Sequence, residues 1–205
     1  KINLLYRNAC QWAILLLVSF QIPSVSNGQN LKISDFVLFG GNGISKSSKY
    51  GLQLSSATNI KSGAIGSYSQ VQTGASSIIN GNIYSGGTVQ LASSNTLTGN
   101  ITAANSAAVR GTVLSVGSSA TIKGNIDVNG NTIFGAAGKV SGKVTHPIGT
   151  TYTGPVPGGG NITGVPNLPV LPAMPAISVF PAAGTTNITS TQTITPGAYG
   201  NLALA

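Results

Sequence analysis

Two carboxylates, Asp35 and Asp127, and one imidazole, His146, set the limits on what chemistry this sequence can perform, because it contains no others. General acid–base catalysis needs positioned Asp, Glu, His or Lys groups, and metal sites need clustered His, Cys or carboxylates. Glycosidic hydrolysis ordinarily uses two carboxylates flanking one bond, whereas these two lie about ninety positions apart. Asp127 with Lys123, Lys143 and Arg110 are the only ingredients for a polysaccharide lyase or hydrolase. The expectation is a non-enzymatic protein with no catalytic, cofactor-binding or metal-ligating residue and no cofactor.

Charged residues make up 6% of the 205, against roughly 25% in an ordinary soluble domain. The basic residues Lys32, Lys46, Lys49, Lys61, Arg110, Lys123, Lys139 and Lys143 are scattered, without the aromatic interleaving of a nucleic-acid surface. The excess of base over acid comes from a scarcity of acids and leaves room for weak attraction to anionic polysaccharide. Disorder fits poorly, since 41% of the chain is apolar and it is rich in β-branched Val, Ile and Thr. Gly and Asn accept the positive φ angles of tight turns, so short strands joined by turns are the expected elements.

Residues 1–28 read as a secretory signal peptide. Lys1 and Arg7 give a positive start, and Trp12–Phe20 form a nine-residue apolar run, too short to span a bilayer of about 30 Å. Ser26-Asn27-Gly28 places cleavage before Gln29. Cys10, the only cysteine, leaves with this segment, and eight basic and two acidic residues then give the mature chain a net +6 with no disulfide. No membrane span is expected in the mature chain.

Beyond it, a block of the form apolar-x-Gly-x-apolar recurs around Gly81, Gly99, Gly111, Gly124 and Gly142, with a weaker copy at Gly63. The gaps from Gly63 onward are 18, 18, 12, 13 and 18. Segments starting at Gly63, Gly81 and Gly124 superpose, bringing together Ile65, Ile83 and Ile126, then Val71, Val89 and Ile133, then Ile79, Leu97 and Val140. Three inward positions per unit imply three sides. The predicted fold is all-β, a parallel β-solenoid or β-helix with three short strands per 18-residue rung, stacked about 4.8 Å apart. One rung cannot bury its apolar side chains, and stacking does it. The stretch from Gly99 to Lys123 is read as a rung with an insertion or as two irregular part-rungs. Asn82, Asn100 and Asn125 share the position after the corner Gly, which fits either a stacked Asn ladder or turn preference alone.

The solenoid is expected over 29–146, with Asp35–Gly41, bearing Phe36 and Phe39, as its N-terminal cap. A Pro-rich strap or linker is expected over 147–183, since proline at that density cannot donate a ladder. Val165, Leu168, Val170, Leu171, Met174, Ile177 and Phe180 favour a packed strap. A further β module is expected over 184–205, breaking off mid-pattern at Ala205. Within it Thr189, Thr191, Thr193 and Thr195 alternate, but an ice-binding face would need that feature on successive rungs, and the units do not repeat it.

The combination of SDFVLFGG, GNIYSGG, LTGNITAAN, GNIDVNG, SGKVTHPIGTTYTGP, LPVLPAMP and ITPGAYGNLAL resembles the N-terminal region of large surface proteins of gliding Gram-negative bacteria. The resemblance spans most of the mature chain and implies a signal peptide, β-helical repeats and, far downstream, a sorting domain for type IX secretion. It implies export across the outer membrane to the bacterial cell surface and a role in adhesion or the surface layer, with no catalytic residues. The expected function is thus a secreted cell-surface protein whose β-helix is a rigid platform or stalk, the alternative being a polysaccharide-binding or polysaccharide-degrading β-helix. Its expected partners are surface polysaccharide or the secretion and cell-surface machinery, not nucleic acid. Tyr68 and Tyr84 could stack on sugars but sit at different offsets in their rungs, as ordinary surface-strand residues would.

Overall fold

A computed structural model describes residues 30–42, 50–105 and 111–174, together with 184, 185, 187, 188 and 193. The expected signal peptide, Arg110, Ile177, Phe180 and all of the Thr189–Thr195 alternation except Thr193 lie outside these residues. The chain divides into two units, 1–172 and 173–205, and the rungs all belong to the first.

After a 3₁₀ turn at Ile33–Asp35, the chain winds through rungs of short strands. The first rung is β1 (Phe36–Gly40), β2 (Leu52–Leu54) and β3 (Asn59–Ile60); the second is β4 (Ala64–Ser67), β5 (Val71–Thr73) and β6 (Ile78–Ile79). The third is β7 (Ile83–Ser85), β8 (Val89–Leu91) and β9 (Thr96–Leu97); the fourth is β10 (Ile101–Ala103), β11 (Thr112–Val116) and β12 (Thr121–Ile122). The fifth is β13 (Ile126–Val128), β14 (Asn131–Phe134) and β15 (Lys139–Val140). The sixth has β16 (Val144–His146) and β17 (Tyr152–Thr153), and β18 (Asn161–Thr163) pairs onto β16 to open a seventh. From β1 to β17 every third strand pairs in parallel, and β18 pairs with β16, giving sheets of seven, six and five strands on the three sides. This is a parallel β-solenoid of about 18 residues per rung.

The core is one internal column. Ile65, Ile83, Ile101, Ile126 and Val144 stack in register on the seven-stranded side and are fully buried. Ile79, Leu97, Ile122 and Val140 do the same on the five-stranded side. β-Branched side chains suit these stacks because their stiff χ1 fits a pleated, covered surface, and each buried one contributes about 1.5–3 kcal/mol.

One inward assignment is corrected. Ile133 is 44% exposed and pairs with Ser115, whereas Thr132 occupies the buried column with Leu114, Val89 and Val71. The strand period of two decides this: a slip of one residue moves a side chain to the other face. The irregular stretch resolves as one rung with an insertion. Ile83 pairs with Ile101, 18 positions on, and Ile101 with Ile126, 25 on, so seven extra residues sit at the corner between β10 and β11.

Two devices hold the corners. At the turn before the five-stranded sheet, Ala57, Ser76, Ser94, Ser119 and Ala137 all take positive φ, between 56° and 60°. At the turn before the seven-stranded sheet, the corner glycines Gly81, Gly99, Gly124 and Gly142 each lean on the rung before. A Cβ on Gly124 would overlap the carbonyl of Gly99, and one on Gly99 that of Gly81.

The ladder continues past the expected boundary at His146, through β17 and β18. Gly158 N–H still donates to the Val140 carbonyl at 2.9 Å, so the Pro-rich passage opens as a further turn of the solenoid. The Asp35–Gly41 segment is the outermost described strand of the seven-stranded sheet. Its rings lie against Gly66 on the outer face, Phe36 edge-on to Tyr84 and Phe39 to Tyr68, with centroids 5.6 and 4.7 Å apart.

Candidate functional site

On the outer face of the seven-stranded sheet, the residue three after each corner Gly points away from the core. In register these are Gly66, Tyr84, Thr102, Asp127 and Thr145. An outer face of this kind is normally wet, yet Thr102, Asp127 and Thr145 are buried.

The cover is the Pro-rich strap. It leaves β18 at Gly164, whose N–H donates to the His146 carbonyl at 2.9 Å, and runs across the sheet. Asn167 N–H donates to Asp127 Oδ1 at 3.2 Å, and Asn105 Nδ2 donates to the Pro169 carbonyl at 2.9 Å. Leu31 N–H donates to the Val170 carbonyl at 3.0 Å, forming one parallel bridge with the N-terminal segment. Proline suits such a crossing, since it keeps the chain extended and needs no partner for an N–H. Of the apolar strap residues, Leu168 and Leu171 are half-buried, while Val165 and Val170 stay exposed.

Strap and sheet enclose a cleft of about 380 Å³ lined by Tyr84, Asn100, Asn125, Asp127, Lys143 and Asn167, with Thr102 and Pro169 completing its walls. The Asn residues arrive there through a ladder. Asn100 N–H donates to Asn82 Oδ1 at 2.8 Å, Asn125 N–H to Asn100 Oδ1 at 2.8 Å, and Lys143 N–H to Asn125 Oδ1 at 3.0 Å. Each amide oxygen is thereby fixed by the rung above. The Asn100 and Asn125 amide NH₂ groups have no protein hydrogen bond among the described residues. Asn82 Nδ2 instead donates to the Tyr84 hydroxyl at 3.0 Å. Thr102 is 5% exposed, and its hydroxyl is buried without a partner among the described residues.

The residues singled out for chemistry are thus divided. Asp127, 9% exposed, and Lys143 share the cleft. Lys123 does not line it, and Arg110 lies outside the described residues. Asp35 sits in the 3₁₀ turn before the first rung, its Oδ2 accepting the Lys32 N–H at 2.8 Å, four rungs from Asp127. His146 is 3% exposed, with Nδ1 2.9 Å from the Thr150 hydroxyl and Nε2 buried without a partner among the described residues. Among the described residues, no three His, Cys, Asp or Glu side chains gather to hold a metal, and no helix is long and apolar enough to cross a membrane.

Sequence reasoning set Tyr84 aside as an ordinary surface-strand residue and missed Thr102, Asn100, Asn125, Asn167 and Pro169 as cleft residues. For the first four the signal was present: Tyr84, Thr102 and Asp127 all stand three after a corner Gly, and Asn100 and Asn125 one after. Asn167 and Pro169 carried no such signal, since nothing in a strap's composition says which sheet it crosses.

No protein-family model matches the chain, and neither a curated protein nor a solved structure is detectably similar to it.

Proposed function

We propose that the chain is a non-enzymatic, exported cell-surface protein in which the β-solenoid is a rigid platform or stalk for adhesion or surface-layer assembly. One observation carries this reading: an unbroken parallel ladder encloses a single column of Ile, Leu and Val without any disulfide. A solenoid of this kind is quasi-one-dimensional, with each rung braced by its neighbours. The apolar run of residues 12–20 supports export, and the segments from SDFVLFGG to ITPGAYGNLAL support the likeness to type IX surface proteins. The two carboxylates, four rungs apart, offer no flanking pair for hydrolysis.

The test is protease shaving of intact cells that produce the complete reading frame with an internal tag. Release of tagged rungs from unbroken cells is expected. Protection until the cells are lysed would overturn the surface assignment.

A second reading, polysaccharide binding, is favoured by the polar cleft beneath the strap.

A further inference from the structure

We propose that this cleft is a binding subsite for one uronic acid unit of an acidic polysaccharide. The inference rests on the polysaccharide-binding reading and adds the site and the chemistry of its ligand.

The ligand follows from the inventory of unspent polar groups. Hydrogen-bond donors dominate: the NH₂ groups of Asn100 and Asn125, with two N–H each, and the Lys143 ammonium, with three. Against them stands one charged acceptor, Asp127, whose Oδ1 takes a single N–H from Asn167 while its carboxylate can accept several bonds. A fitting ligand must offer several acceptors, at least one hydroxyl donor for Asp127 and a negative charge for Lys143. A neutral sugar leaves Lys143 unpaired, and a simple carboxylate has no hydroxyl for Asp127 and is repelled by it. A uronic acid ring supplies both groups on one rigid frame.

The cleft is built in advance. The Asn ladder holds both amides by their oxygens, and three hydrogen bonds pin the strap at Asn167, Pro169 and Val170. Preorganisation of this kind lowers the ordering cost of binding. Pro169 forms wall without adding a competing N–H. Tyr84 gives an aromatic surface beside the polar groups. At about 380 Å³ the cleft lies within the roughly 300–1,000 Å³ of small-ligand sites. The net charge of +6 that remains once residues 1–28 are removed draws an acidic polymer toward it.

The experiment is calorimetric titration of the chain with tetrasaccharides of mannuronate, guluronate, galacturonate and glucuronate, with neutral β-1,4-mannotetraose as control. Expected are saturable binding of at least one uronate, mannotetraose weaker by about tenfold or more, and a similar loss in Lys143→Met and in Asp127→Asn. Both variants should keep the parent thermal melt, because the amide introduced by Asp127→Asn retains an oxygen for the Asn167 N–H and Lys143 is exposed. The side-chain amide signals of Asn100 and Asn125 should shift during the titration. Mannotetraose binding as tightly as the uronates overturns the proposed ligand. Uronate binding unchanged in both variants overturns the site while leaving the polysaccharide-binding reading standing. Absence of saturable binding to every oligosaccharide overturns both, and the stalk reading is judged by protease shaving alone.

Discussion

Asn125 N–H donates to Asn100 Oδ1 at 2.8 Å across 25 positions of chain, and Asn100 N–H donates to Asn82 Oδ1 at the same 2.8 Å across 18. The bond does not register the seven-residue insertion. Rung-to-rung contact is therefore set at the corner, and the register of β10 and β11 with the neighbouring rungs is kept. Replacing Asn100 with Ala removes the acceptor for Asn125 N–H and should lower unfolding free energy by about 1 kcal/mol. Asn100→Asp keeps the oxygen and should lose less. Urea denaturation of the two variants checks the order; equal losses would mean the oxygen is not what matters.

The glycine column makes a harsher demand. In Gly124→Ala the new methyl meets the Gly99 carbonyl, a backbone atom that cannot swing aside. Overpacking of this kind costs about 1–3 kcal/mol. Gly111→Ala is the control on space, since a Cβ there meets nothing within 4 Å, although its φ of 94° brings strain of its own. A smaller stability loss for Gly124→Ala than for Gly111→Ala would contradict the steric account.

Inward and outward isoleucines should behave oppositely. Ile101 is fully buried in the column, so Ile101→Ala should cost about 2–5 kcal/mol. Ile133 faces outward, and Ile133→Thr should stay within about 0.5 kcal/mol of the parent. Thermal melts followed by circular dichroism distinguish them.

Tyr152 carries the one marked pKa shift among the described residues, its phenol pushed up to about 12 by burial. Its hydroxyl donates to the Pro155 carbonyl at 2.6 Å, and its ring packs edge-on against Phe134. The native state holds this proton more tightly than the unfolded chain, whose tyrosines ionise near 10. Its contribution is complete below about pH 10 and is lost as pH rises through about 12. Absorbance titration should show a late-ionising tyrosine component, and Tyr152→Phe should abolish it.

The solenoid was legible because its cause is periodic: Ile65, Ile83 and Ile126 repeat at one offset from a corner Gly, and burial follows that repeat. Ile133 misled because Thr132 beside it is the buried residue, and apolarity alone cannot choose between adjacent positions of opposite face. The positive-φ corners at Ala57, Ser76, Ser94, Ser119 and Ala137 carried no Gly or Asn to announce them; stacking holds them in place. Half of the cleft was readable as a column of equivalent offsets. Its other wall depends on where a proline-rich segment crosses, which is a long-range contact without a local pattern.

The identical bonding of 18-residue and 25-residue rungs bears on how such a gene can change. Duplication or excision of one whole 18-residue unit leaves corner glycine over corner glycine and lengthens or shortens the rod by about 4.8 Å. A frame-preserving insertion of one codon inside a strand turns the side chains beside it in that strand to the opposite face. Variation in reach is thus open to inheritance in whole storeys, and new loops can be added at the landing between β10 and β11.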